Sequence, residues 1–197
     1  MLAVTATLIL PSHRPLTTTP PTLREGRGGI SAALLGLLLV AQAANAEALK
    51  NHYNDPFIQV TTGIAACPQP RGPFMTEREA QVEAHPRIER GTSCFMAGTC
   101  TEPNAYRYDQ RIAKAAEDAV AKAVKREPKL ARSSVWLTVQ RRFVFVHGCV
   151  IDRSQIARWE ALIKAVPEVQ YVGVDLAIFR RAANGEKPGR IPYPVMP

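Results

Sequence analysis

From residue 106 onward the apolar positions recur with a helical period. Ile112, Ala113, Ala116, Ala119, Val120, Ala123 and Val124 fall on one side of a helix wound from about residue 106 to 126. Most of these side chains are small, which lets a helix sit close to a sheet. Pro128 ends this helix, because the residue before a proline is pushed out of the helical region. The period then changes to two. Residues 134–140 and 143–150 alternate in the manner of strands and predict a β-hairpin turning at Arg141-Arg142. That register pairs Val139 with Val144, Leu137 with Val146 and Val135 with Gly148 on an aliphatic face, and leaves Trp136, Thr138, Phe145, His147 and Cys149 on the other. The turn lacks the Gly or Asn that tight primed turns favour, so a four-residue turn of the same parity fits equally well. A second helix follows, with Asp152 as cap, Gln155 three residues on, and a stripe of Ile156, Trp159, Leu162, Ile163 and Val166 before Pro167. A last strand covers about residues 170–179, with Val172, Val174, Leu176 and Ile178 on one face.

The flanking segments have a different texture. Residues 30–43 are apolar and uncharged, preceded by Arg24 and Arg27 and followed by Ala44-Asn45-Ala46. This is the pattern of a secretory signal peptide with cleavage expected after Ala46, and the run is shorter than the roughly 20 residues that a spanning helix needs. Residues 47–104 are punctuated by Pro56, Pro68, Pro70, Pro73, Pro86 and Pro103 and hold Cys67, Cys94 and Cys100. One short helix is legible there, opened by a Thr76 to Glu79 capping box and expected to run to about Ala84, where Pro86 stops it. The rest of this extension reads as irregular loops, and residues 180–197 read as a flexible tail.

Composition sharpens the picture. The 197 residues carry a formal charge of +8. Between residues 106 and 179 there are 13 Lys or Arg against 8 Asp or Glu, so the periodic region holds most of the charge. Arg107, Arg111, Lys114, Lys122 and Lys125 share the polar side of the first helix, interrupted by Asp118, and form a candidate lipid-binding face; a solvated helix face is the plainer account. Nucleic acid is not an expected partner, since aromatics do not interleave these cations and export removes the polymer. For an exported chain, four cysteines are a disulfide framework before anything else, and three pairings are open. No C-x-x-C pair and no zinc-ligand spacing with His52, His85 or His147 is present, so no metal or cofactor is expected. His147 beside Cys149, or Glu77 with Glu79, are the only catalytic candidates, and neither comes with a third partner, so no enzyme is expected.

The order helix, strand, strand, helix, strand, with Val144-Phe145-Val146-His147-Gly148-Cys149-Val150 and Val169-Gln170-Tyr171-Val172-Gly173-Val174-Asp175-Leu176, resembles the BON domain of bacterial envelope proteins. Glu168, Val174 and the Arg-Arg turn depart from that family's usual Gly, Asn and Gly-containing turn. The resemblance implies an α+β fold over residues 105–179, two helices on a three-stranded sheet, following a signal peptide (1–46) and an extension (47–104). It implies a periplasmic, non-catalytic protein that binds phospholipid surfaces in envelope maintenance or stress response.

One feature of the residues points elsewhere. The sheet face without helices carries Trp136, Phe143, Phe145 and Tyr171, and large apolar patches of this kind mark an interaction site. An envelope protein, or a second copy of the chain, is the alternative partner. Cys149 lies on that face by parity, so the favoured pairing is Cys67 with Cys149, drawing the extension across the aromatics, and Cys94 with Cys100 closing a local loop.

Overall fold

The computed structural model describes residues 47–179 and 190–197, so the expected signal peptide at 1–46 and residues 180–189 of the expected tail lie outside the described residues. The chain runs β1 (Phe57–Thr62), α1 (Glu77–Met96), α2 (Asp109–Arg126), β2 (Ser134–Gln140), β3 (Phe143–Val150), α3 (Ser154–Lys164) and β4 (Tyr171–Ile178). It is a mixed α+β fold in which α2 and α3 pack on one face of the sheet. Alternation along β2, β3 and β4 supplies that face with Val135, Leu137, Val139, Val144, Val146, Val150 and Leu176, which close over Ile112, Ala116, Val120, Trp159 and Ile163. The hairpin has the expected register, with Val139 opposite Val144, Leu137 opposite Val146 and Val135 opposite Gly148. Gly148 is required there: its φ is +140°, and a Cβ would run into the carbonyl oxygen of Ser134. β4 lies parallel to β3, the order that a helical crossover through α3 allows.

The sheet has four strands, not the expected three, in the order β1-β2-β3-β4. The added strand comes from the extension. Phe57, Ile58 and Gln59 pair antiparallel with Thr138, Leu137 and Trp136, and a bulge at Val60 shifts the register before Thr61 meets Val135. Prolines at 56, 68 and 70 concealed this strand, yet they flank it and none falls inside it. Beyond Thr62 the chain stays on the sheet edge through polar mimicry, Ile64 N–H donating to Ser134 Oγ and Ser134 Oγ to the Ile64 carbonyl, both at 2.9 Å.

A second correction concerns α1, which opens with the expected Thr76/Glu79 capping box but runs straight through Pro86 to Met96. Pro86 removes only the hydrogen bond to the Val82 carbonyl, which lies on the exposed side of the helix. Anchors on both sides outweigh that loss. Tyr53 donates to the Ala80 carbonyl, Arg87 pairs with Asp55, and Cys94 is bonded to Cys100. The extension is therefore a strand and a long helix, not irregular loops. Nor is residues 190–197 a free tail. Arg71 N–H donates to the Pro194 carbonyl at 2.7 Å and Met196 N–H to the Gln69 carbonyl at 3.0 Å, and Tyr193 is buried.

The hairpin is tight, as the shorter of the two expected turns, and the missing Gly is replaced from outside. Arg141 and Arg142 both have positive φ, 48° and 70°. Their two N–H groups donate to the carboxylate of Asp109 at 2.7 and 2.8 Å, so the first residue of α2 acts as a clamp on the turn. Burial pushes the Asp109 carboxyl up to about 6, against the pull of the Arg142 and Arg141 N–H groups; Asp55 adds to the rise and Arg87 opposes it. The folded chain thus holds this proton more tightly than the unfolded one. The stability linked to it is fully present below the ordinary carboxyl value of 3.8 and is lost as pH rises through about 6. Between pH 5 and pH 7 the wild type is expected to lose about 1 kcal/mol relative to Asp109→Asn, read from urea midpoints at both pH values. Parallel stability profiles for the two proteins would refute this assignment.

Candidate functional site

The cations expected to form one lipid-binding face divide into two groups. Arg111 lays its guanidinium on Glu168 with contacts of 2.5 and 3.0 Å, reaches Glu102 at 3.7 Å and stacks over Tyr108. The pairing holds the Glu168 carboxyl below its ordinary value. Arg107 lies 3.9 Å from Glu102, and Lys114 is bonded to Asp118 at 2.7 Å with Glu117 at 3.8 Å. Three of the five expected residues are thus answered by acids of their own chain. Such exposed pairs contribute little stability, but they cancel local charge.

Lys122 and Lys125 are different. Both are exposed, and neither forms an ion pair among the described residues; the same holds for Arg126, Lys129 and Arg132 just beyond them. The helix turn that ends α2 and the 3₁₀ turn Leu130–Arg132 carry this group to the end of the sheet where β2 begins. The same end holds a cleft of about 700 Å³ lined by Gly63, Ile64, Ala65, Ala66, Ile151, Phe179 and Arg132. Gly63 belongs there by necessity, because a Cβ would strike the Ala131 carbonyl oxygen. Sequence periodicity picked out the helical cations but not the cleft, whose residues come from four separate segments of the chain.

On the opposite face of the sheet the four expected aromatics do not form one open patch. Trp136 is buried, packed with Ile64, Cys67, Cys149 and Ala177 and flanked by Phe57, Ile151, Phe179 and Ile191. Its assignment to an exposed interaction face is corrected: the Cys67 segment and the C-terminal strap cover it. Phe143 and Tyr171 remain together at 5.1 Å between ring centroids, with Tyr171 52% exposed at the β4 edge. Phe145 stands half-buried between them and His147.

The disulfides are Cys67–Cys149 and Cys94–Cys100, the pairing favoured by parity. Cys149 is consequently not a thiolate beside His147. The Tyr193 hydroxyl lies 3.5 Å from Cys67 Sγ and 3.7 Å from Cys149 Sγ and donates to the Pro68 carbonyl at 3.0 Å. Its ring stacks on the His147 imidazole at 5.5 Å. Burial pushes the Tyr193 phenol up to about 12, so it stays neutral. Burial also lowers the His147 imidazole from its ordinary value, against the attraction of Asp175 at 3.7 Å. Glu79 serves the capping box and Arg71, while Glu77 faces His52 at 3.5 Å, so the two glutamates are not directed at one point.

One polar node was not legible in the sequence. The Arg87 guanidinium is held between the rings of Tyr53 and Tyr106, 4.2 and 3.7 Å from their centroids, and grips both oxygens of buried Asp55. Gln140 donates to the same carboxylate at 2.7 Å. Among the described residues no group of His, Cys, Asp and Glu is placed to hold a metal ion, and no helix is long and apolar enough to cross a membrane. Comparison of the chain with family models, with curated proteins and with solved structures found no match.

Proposed function

We propose that this is an exported, non-catalytic binding protein with a BON-like module, which associates with anionic phospholipid surfaces in the periplasm and serves envelope maintenance or stress response. The observation that carries the reading is the separation of the cations: those at the start of α2 are paired internally, while Lys122, Lys125, Arg126, Lys129 and Arg132 follow one another along the end of α2 and its connection to β2 with no ion pair among the described residues, and the last of them, Arg132, lines an apolar cleft at one end of the sheet. Each cation near an anionic membrane surface contributes on the order of 1 kcal/mol. The lipid-facing region therefore moves from the whole helix to its C-terminal turn and the connection that follows. Two disulfides suit an oxidising compartment, and the order α2-β2-β3-α3-β4 suits the BON-like module.

Co-sedimentation with phosphatidylglycerol and phosphatidylcholine vesicles tests it. Binding is expected only to the anionic vesicles and is expected to weaken as salt rises. Changing Lys125, Arg126, Lys129 and Arg132 to Glu together is expected to lower it more than tenfold, while Lys114→Glu leaves it near the wild-type level. Equal losses from the two variants, or binding indifferent to lipid charge, would overturn the proposal.

A second reading uses the aromatic edge. Phe143 and Tyr171 are the uncovered remainder of the outer face, beside a β4 edge that has no strand partner among the described residues. They support a protein-interaction module of the envelope, and a Tyr171→Ser variant that loses self-association or partner binding while keeping vesicle binding would favour it.

A further inference from the structure

The two disulfides occupy opposite surroundings. Cys149 is fully buried and Cys67 nearly so, beneath Trp136, Ile64 and Ala177, and Tyr193 sets its hydroxyl against both sulfurs. The strap that carries Tyr193 is itself fixed by its bonds to Arg71 and Gln69. Cys94–Cys100 sits at the other extreme, closing a separation of 6 residues at the end of α1. Between its cysteines, Phe95 and Met96 are 46% and 81% exposed, Ala97, Gly98 and Thr99 are exposed, and a Cβ built at Gly98 would meet nothing within 4 Å. Cys100 is half-buried at the edge of the core, its sulfur 3.4 Å from the Glu102 carbonyl, whereas Cys94 is buried.

Access governs thiol–disulfide exchange as much as thiolate chemistry does. We infer that Cys94–Cys100 is a redox-addressable site for a dithiol reductant, and that the Tyr193 strap withholds Cys67–Cys149 from the same reagent. A reductant thiolate attacks Cys100 Sγ, forming a mixed disulfide as the Cys94–Cys100 bond breaks and Cys94 leaves as a thiolate. The second thiol of the reductant then attacks its own sulfur in the mixed disulfide, which releases the Cys100 thiolate and the oxidised, cyclic reductant. Two electrons pass from the dithiol to the cystine, and the two cysteinyl thiolates take up the protons that its thiols lose.

Opening this bond acts on α1. The Cys94 carbonyl accepts from Thr99 N–H at 2.8 Å and from its hydroxyl at 3.1 Å, and the segment continues to Tyr108, whose hydroxyl accepts from the N–H groups of Thr101 and Glu102. With the disulfide cut, the cross-link between the last turn of α1 and this segment is gone, and Arg87–Asp55 and the packing of Gly91 against Asn104 remain. The end of α1, with its exposed Phe95 and Met96, is then free to fray.

The test is timed reduction of the oxidised mature chain in dithiothreitol, quenched with N-ethylmaleimide and mapped by peptide mass spectrometry, with thioredoxin as a parallel protein dithiol. Cys94 and Cys100 are expected to be labelled at least tenfold faster than Cys67 and Cys149 with dithiothreitol. Tyr193→Ala is expected to accelerate labelling of Cys67 and Cys149 and to leave the other pair unchanged. Tyr193→Phe keeps the covering ring if the alanine variant does not fold, and is expected to preserve the difference. Labelling by thioredoxin as well makes the site open to a protein partner; labelling by dithiothreitol alone restricts it to small dithiols. Equal rates for the two bonds in the wild type, or earlier opening of Cys67–Cys149, would overturn the inference.

Discussion

Replacing Cys67 and Cys149 together by alanine is expected to lower the free energy of unfolding by about 4 to 5 kcal/mol. The bond joins residues 82 apart in sequence, and its loss returns that loop to the unfolded ensemble. In the chain-entropy account a loop of this length is worth about 4.5 kcal/mol, whereas the 6-residue separation of Cys94–Cys100 is worth about 2 kcal/mol. The longer bond also joins elements that share few other covalent constraints, because Cys67 lies on the segment after β1 and Cys149 near the end of β3. Urea unfolding of the two double-alanine variants at one pH would measure the difference. A smaller loss for Cys67/Cys149 than for Cys94/Cys100 would mean that native packing, not loop closure, sets the stability of the outer face.

Arg87→Ala is expected to cost about 3 to 5 kcal/mol. Its side chain is only 11% exposed and that of Asp55 only 3%. Truncating the arginine leaves a carboxylate out of water with Gln140 as its one side-chain donor besides the lost guanidinium. It also removes the plate between Tyr53 and Tyr106. Arg87→Lys is expected to recover little, since an ammonium supplies neither the planar stack nor the two-pronged grip on the carboxylate. Adding Asp55→Asn to Arg87→Ala should restore part of the loss, because the buried charge is then gone; thermal melts of the single and double variants make this cycle. A double variant no more stable than Arg87→Ala would show that the stack, not the ion pair, anchors α1.

The elements that could be read from sequence are those whose side chains repeat with the period of their own backbone. β2, β3, α2, α3 and β4 each carry a periodic apolar face, and the pairing register of the hairpin followed from it. β1 has no comparable signal, since its six residues Phe-Ile-Gln-Val-Thr-Thr alternate only until the bulge at Val60 breaks the parity. The length of α1 was hidden for another reason. Its buried residues are few, Ala80, Gly91 and Cys94, so it has no core-facing stripe, and what holds it past Pro86 is a set of single long-range contacts. The turn at Arg141-Arg142 belongs with these: its conformation depends on Asp109, 32 residues away in the chain. Of the candidate site, the helical cations were visible as a pattern, and Lys114 has its acids within α2, but the cancelling of Arg107 and Arg111 depends on Glu102 and Glu168, brought alongside α2 from outside it.

The disulfide connectivity is nested, with Cys94–Cys100 lying wholly inside the loop closed by Cys67–Cys149. A chain emerging from its N-terminus into an oxidising compartment presents Cys67, then Cys94, then Cys100, and the native partner of Cys67 last. Joining cysteines in order of appearance would link Cys67 to Cys94 and strand Cys149 with Cys100. The native arrangement therefore requires Cys67 to remain unpaired until β3 is present, and a similar stretch of chain separates Phe57 from its strand partner Thr138. The native pairing thus depends on the α2-β2-β3-α3-β4 segment, which carries both the strand partner of β1 and the bonding partner of Cys67.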